Sequence, residues 1–219
     1  MALVITDNRL ELCKRDEPNF KNFFIDFTQK KFLHRIKSHY LKKEAIAKAI
    51  GIKKNYFPNV LDATAGLGKD SFILSALGCQ VYMMERNPVI SALLDDGLKR
   101  AYKNYIIGTW IKKRITLIHR SSFDMLNINF PIPDIIYLDP MYPYQKKSSL
   151  SKKENYFLRL LIGLDKDSDR LLLLARRLAK KRVIVKRPRF ANFLSGIKTT
   201  STIFSKKHRF DIYLPFYKK

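Results

Sequence analysis

Cysteine is nearly missing from this chain. Cys13 and Cys79 are the only two, and no C-x-x-C pair occurs. That excludes a disulfide framework and a zinc knuckle, and it suits a reducing cytosol. Histidine is almost as scarce, with 4 residues, and no His or Cys pair has metal-ligand spacing. His119 and His208 therefore read as packing or phosphate-contacting residues, and no metal is expected. Long apolar runs are missing as well. The strongest one, LLLLARRLA at 171–179, is broken by Arg176 and Arg177, and polar Thr6-Asp7-Asn8-Arg9 stands where a signal peptide would be apolar. The expectation is a cytoplasmic protein with no membrane partner. Internal repeats and low-complexity segments are also wanting.

Acidic residues are few. The 19 Asp and Glu face 43 Lys and Arg, a formal charge of +24 over 219 residues. That excess favours a polyanionic partner, because the basic residues cluster beside expected strand ends instead of scattering. With 46% hydrophobic content the chain can bury a sizeable core. One domain over 42–219 is expected, preceded by a small β-containing basic appendage over 1–41.

The pattern along the chain alternates between strands and helices. Residues 3–13 look like a hairpin around Asp7-Asn8, and 23–27 could add a strand. The basic and aromatic stretch 30–43 is either a solvated face or an RNA-contacting arm, and 42–50 reads as a helix ended by Gly51. Strands are expected at 60–63, 80–84, 115–119, 135–138 and 182–185. Helices are expected at 69–77, from Asn87-Pro88 to about Tyr102, at 152–162 and at 168–179. Two closely spaced strands at 199–204 and 209–214 would form an antiparallel edge hairpin. Strands separated by helices imply right-handed βαβ units, hence an α/β fold with a mostly parallel, seven-stranded sheet.

Chemistry concentrates at DIIYLDPMYP, 134–143. A short apolar run buried on both faces leads into Asp139-Pro140, and open α/β sheets bind ligands where their strands end. Pro140 has no N–H, so pairing stops there. A carboxylate, a rigid carbonyl and the ring of Tyr142 are what is needed to hold a planar base and its exocyclic amine; an ordinary Asp-Pro turn is the plainer alternative. The second informative stretch is LDATAGLGKDSF, 61–72. Gly66 and Gly68 would let backbone approach a ligand closely. Ala63 and Asp70 stand where a P-loop needs Gly and Ser or Thr, and Ser71 replaces the third glycine of a dinucleotide fingerprint. Asp62 and Asp70 would repel a pyrophosphate but suit a ligand with a free amino group, which separates S-adenosylmethionine from NAD. Glu85, 23 residues after Asp62, can accept ribose hydroxyls. Ser121 and Ser122 leave the third strand of the alternation where an adenine edge would lie. Among the basic groups, Lys146, Lys147, Lys186, Arg187, Arg189, His208 and Arg209 share the rim with Asp139 and are candidates for phosphate contact.

The segments KRDEPN (14–19), DATAGLGKD (62–70), MERNPVISALLDDGLKRA (84–101), HRSS (119–122), YLDPMYP (137–143), VKRP (185–188) and HRFDIY (208–213) together resemble the RsmJ family of bacterial 16S rRNA guanine-N2 methyltransferases. The resemblance runs over nearly the whole chain. It implies a class I, Rossmann-like methyltransferase fold, S-adenosyl-L-methionine as cofactor, and a guanosine of 16S rRNA or the small ribosomal subunit as substrate, with a monomer expected. Carried over by position, the cofactor contacts are Lys69, Asp70, Glu85, Arg86, Ser121, Ser122 and Asp139. Lys69 stands where the family usually has Arg, and Tyr142 where it usually has Phe. Two rival readings are an adenine-N6 nucleic-acid methyltransferase and a non-catalytic rRNA-binding or ribosome-assembly protein on the same fold.

Overall fold

The computed structural model describes residues 1–17, 19–38, 41–141, 157–158, 160–163, 167–199 and 201–216. Strands β1 (Ala2–Ile5) and β2 (Leu10–Cys13) form the expected antiparallel hairpin. Seven further strands among these residues make one sheet: β3 (Asn59–Asp62), β4 (Gln80–Met84), β5 (Ile115–Ile118), β6 (Ile135–Leu138), β7 (Arg182–Pro188), β8 (Ser201–Phe204) and β9 (His208–Tyr213), in the spatial order β5-β4-β3-β6-β7-β9-β8. The first five pair in parallel, and β9 joins β7 and β8 antiparallel.

Local chemistry explains the central elements. All four residues of β6 are buried, as expected of a strand covered on both faces. Helix α4 (Pro88–Tyr102) begins where Asn87 accepts hydrogen bonds from the N–H groups of Val89 and Ile90 at 3.0 and 3.2 Å, with Pro88 in the first turn. These bonds satisfy donors that a helix start leaves open. The other helices are α1 (Lys30–Lys37), α2 (Ala45–Ile50), α3 (Lys69–Ala76), α5 (Gly108–Arg114) and α6 (Ser168–Leu178). Gly51 ends α2 at φ 78°, as its position suggested. Of the expected helix at 152–162, residues 157–158 and 160–162 are helical, and the rest lies outside the described residues. Helix α5 was not anticipated, and β7 runs three residues beyond the expected 185.

The expected strand at 23–27 reduces to a single bridge, in which Leu12 and Phe23 exchange backbone bonds of 2.7 and 2.9 Å. Beyond it the backbone is captured by side chains: Arg100 donates to the Ile25 carbonyl, and Asp26 accepts from the Thr28 N–H at 2.8 Å. Leu12, Phe23, Ile25, Phe27 and Phe32 are buried in the same apolar cluster as β3, β4 and α4. Phe27 stacks on Phe72 of α3 with ring centroids 5.5 Å apart.

The sheet order fixes where a ligand can enter. From β3 the chain winds outward through β4 to β5; it then returns to the other side of β3 and winds through β6 to β7. The strands β3 and β6 thus flank the switch point, where the loops after them diverge and leave a crevice.

Candidate active site

A cavity of about 480 Å³ opens at that crevice, within the range of small-molecule sites. Its lining includes Asp62, Gly66, Lys69, Asp70, Glu85, Arg86, Ser121, Ser122, Asp139, Pro140, Lys186, Arg187 and His208. Residues expected from four separate strand ends therefore meet in one place.

At the end of β3, Asp62 is buried. Its carboxylate accepts from the Ser71 hydroxyl at 2.6 Å and from the Thr64 N–H at 3.2 Å. Burial nonetheless pushes its pKa up to about 7, outweighing these hydrogen bonds. The turn that follows contains Gly66 at φ 51° and Gly68 at φ 67°, a backbone region costly for other residues. The two glycines do different work. A Cβ at Gly66 would meet nothing closer than 3.9 Å, so this position leaves the cavity open. A Cβ at Gly68 would lie 2.9 Å from Leu94 and 3.1 Å from Phe27. Gly68 does not line the cavity, so its expected role in ligand approach is corrected to tight packing of α3 against α4 and the N-terminal segment.

Glu85, at the end of β4, is buried and oriented by backbone. Its Oε2 accepts from the Gly66 N–H at 3.0 Å and its Oε1 from the Asn87 N–H at 2.8 Å. Glu85 also lines the cavity, so its oriented carboxylate stands where ligand hydroxyls would meet it. Arg86 pairs with Asp167 at 2.8 Å across the cavity wall. Ser121 opens a short 3-10 turn, Ser122–Asn127, and accepts from the Phe123 N–H. The Ser122 hydroxyl donates to the Ala63 carbonyl, tying this loop to the end of β3.

At the end of β6, Asp139 anchors its own N–H on the Thr64 hydroxyl, 2.6 Å away. Its side chain is 39% exposed, open to an incoming molecule. Pro140 follows, buried in the cavity wall. Lys186 of β7 reaches between two acids, with Nζ 2.9 Å from Asp139 and 2.7 Å from Asp70. The Tyr137 hydroxyl, inside the sheet, donates to the same Asp70 oxygen at 2.7 Å. The result is a chain of polar contacts, Tyr137–Asp70–Lys186–Asp139, running from the core to the mouth. Burial would raise the pKa of Asp70, but Lys186 and the Tyr137 hydroxyl bring it below the usual carboxylate value. Asp139 is held above that value, because enclosure by protein and the nearby Asp70 outweigh Lys186. Burial works against the charge on Lys186, yet Asp139 and Asp70 more than compensate and raise its pKa, so it stays protonated. Burial and the Lys186 charge lower the pKa of His208, favouring the neutral imidazole.

Three expected phosphate contacts need correction. Lys186 is engaged inside the cavity by two carboxylates. Arg187 is buried and donates to the Asn192 carbonyl at 3.2 and 3.1 Å. Arg209 is buried against Asp211, with Nε 2.9 Å from Oδ1, and donates to the Arg189 carbonyl. A guanidinium committed to a fully buried acid is not offered to solvent. Its i, i+2 spacing from Asp211 on a strand, which puts both on one face, was the available signal. Arg189 is exposed outside the cavity, and His208 lines it. Tyr142, Lys146 and Lys147 lie outside the described residues. Thr64 and Tyr137 were not singled out beforehand, and Ser71 was noted only as standing in place of a third glycine. Arg35 was assigned to a possible RNA arm, but it pairs with Glu44 at 2.5 Å and both line the cavity.

Among the described residues no group of three or more His, Cys, Asp or Glu could hold a metal ion, and no helix is long and apolar enough to cross a membrane. The cavity matches S-adenosylmethionine in size and in donor set. Glu85 would take ribose hydroxyls, and Asp62, near neutrality and beside Gly66, would face a cationic ligand.

A crevice of this composition at the β3/β6 switch point of a mostly parallel sheet defines an S-adenosylmethionine-dependent methyltransferase. Residues 1–215 match the family described as "Putative SAM-dependent methyltransferase". The Ribosomal RNA small subunit methyltransferase J of Erwinia tasmaniensis is 54% identical over 215 residues, 98% of this chain and 86% of that protein. Its namesake in Buchnera aphidicola subsp. Schizaphis graminum is 56% identical over 219 residues, 100% of this chain and 88% of that protein. A crystal structure of a SAM-dependent methyltransferase from Neisseria gonorrhoeae superposes with a TM-score of 0.74 at 35% identity, covering 99% of this chain and 83% of that one. The chain belongs to the ribosomal RNA small subunit methyltransferase J family.

Proposed function

We propose that this chain transfers a methyl group from S-adenosylmethionine to the exocyclic N2 of a guanosine in 16S rRNA, acting in the cytoplasm as a monomer. The observation that carries this reading is Asp139. It is fixed through its backbone to Thr64, held through its carboxylate by Lys186, and exposed at the mouth of the cavity beside Pro140. The family relationship and the motif resemblance supply the substrate.

S-adenosylmethionine supplies an electrophilic methyl group on a sulfonium that is already a good leaving group. What remains for the protein is positioning. The guanine amine has its lone pair drawn into the ring, so it is a poor nucleophile until its N–H groups are engaged. The Asp139 carboxylate and the Pro140 carbonyl would accept those hydrogens and turn the lone pair toward the cavity, where the N–C bond forms as the S–C bond breaks. The proton lost from nitrogen leaves past Asp139 toward solvent. Lys186 keeps Asp139 in its accepting form and orientation. Tyr142 would stack on the base.

The test is mass mapping of 16S rRNA from cells lacking the protein, before and after incubation with the purified chain and S-adenosylmethionine. Wild-type protein should restore one N2-methylguanosine, and Asp139→Ala should restore none while binding RNA normally. A restored N6-methyladenosine would support the adenine reading, and an unchanged methylation map would defeat both.

A further inference from the structure

Two phenylalanines stand in solvent beside the cavity mouth. Phe190, in the turn after β7, is 97% exposed, and Phe204, the last residue of β8, is 58% exposed. Strand pairing brings their segments to the same edge: Pro188 lies opposite His208, and Phe204 lies opposite Arg209. Pro188, Ser205 and His208 line the cavity, so this edge is its rim. The segments that carry the rings are also cationic. Arg189 is exposed with its guanidinium 5.5 Å from the Phe204 ring centroid, and Lys206 and Lys207 are exposed in the turn joining β8 to β9.

Large rings left in water forgo the stabilisation that burial would supply. The neighbouring cations make an apolar partner a poor match. A strand of unpaired nucleotides satisfies both features, since every base offers a flat face to a ring and its phosphates meet the cations. An A-form duplex keeps its base faces stacked inside and would leave the rings unused. We infer that Phe190 and Phe204 form a stacking platform for unpaired RNA bases flanking the methylated nucleotide, with Arg189, Lys206 and Lys207 on the adjoining phosphates. This inference rests on the reading of the site as an rRNA methyltransferase and adds to it the single-stranded form of the substrate next to the target.

The experiment compares wild-type protein with the double variant Phe190→Ala/Phe204→Ala. It measures binding to a short single-stranded RNA and to a duplex of the same length over a salt series, methylation of small subunits, S-adenosylmethionine affinity by calorimetry, and thermal melting. The double variant should melt normally and keep its cofactor affinity. It should lose single-strand affinity about 10-fold or more, with the salt slope unchanged and duplex binding unaffected. Lys206→Ala/Lys207→Ala should instead reduce the salt slope. Unchanged single-strand binding, or equal losses for strand and duplex, would overturn the inference. So would a loss seen only with assembled subunits, which would place a ribosomal protein on these rings, or a loss of self-association, which would place a second copy there. If the wild-type chain methylates rRNA and the double variant matches it in every assay, this inference alone fails. Absence of rRNA methylation by the wild-type chain would overturn the proposed activity and the inference together.

Discussion

Lys186 places its Nζ 2.9 Å from Oδ2 of Asp139, so the acid proposed to grip the substrate amine is already paired within the protein. The same ammonium is 2.7 Å from Asp70, which is tied to the Tyr137 hydroxyl. Asp139 is therefore tied through Lys186 to the sheet interior.

Lys186→Met removes the charge but keeps most of the side-chain volume. Lys186 lowers the pKa of Asp139, so its loss should raise that pKa further. Activity that needs ionised Asp139 should then have its acid limb moved to higher pH, together with a fall in kcat. A pH–rate profile of the variant checks this. An unmoved acid limb would mean that a different group titrates.

The two glycines of the turn should separate in mutation. Gly68→Ala forces a Cβ against Leu94 and Phe27 at φ 67°, an overpacking that costs about 1–3 kcal/mol. Its melting temperature should fall by about 2–4 °C for each kcal/mol. Gly66→Ala meets no such contact, but at φ 51° it still carries the left-handed backbone cost, about 1–2 kcal/mol. Beyond that smaller loss of stability it should weaken S-adenosylmethionine binding, read by calorimetry, which Gly68→Ala should not do directly.

Arg209→Ala leaves Asp211, which is 0% exposed, without its cation. Breaking a buried ion pair from one side costs about 3–5 kcal/mol. Denaturant melts should show this loss. The salt slope of RNA binding should not change, and a reduced slope would return Arg209 to the phosphate-contacting set.

Asp62 gives a pH signature. Its pKa is raised from 3.8 to about 7 in the folded protein, so between those values the native state binds more protons than the unfolded one. This group's contribution to stability is present below 3.8 and is lost as pH rises toward about 7. Asp62→Asn should flatten that part of the stability profile. Melting temperatures measured across the window check it, and an unchanged slope would show that Asp62 is not the source.

Much of this frame could be read from the chain because its signals are local. The apolar run of β6, the Asn87-Pro88 start of α4 and the Gly51 stop of α2 each depend on neighbours within a few residues. The polar chain behind Asp139 does not. Lys186 meets Asp70 from 116 residues away, and Tyr137 meets it from 67, so the lysine read as one more surface cation and the tyrosine as core. Helix α5 escaped notice for a similar reason. Its residues GTWIKKR carry a glycine and a β-branched residue at the start, both poor helix formers, and packing such as Trp110 on Phe72 at 5.6 Å holds it. The strand anticipated at 23–27 failed because Arg100, far along the chain, takes the carbonyl a neighbouring strand would need.

The rings at 23 and 27 carry a consequence for biosynthesis. Phe27 lies on Phe72, Phe23 stacks on Phe157 with centroids 5.2 Å apart, and Ile25 presses on Gly97 of α4. A ribosome making this protein releases those three apolar side chains long before their partners exist. Phe23 must wait uncovered through more than half of translation, and Phe27 and Ile25 until residues 72 and 97 have been made, which slows native assembly and makes the growing polypeptide a natural client for a holding chaperone.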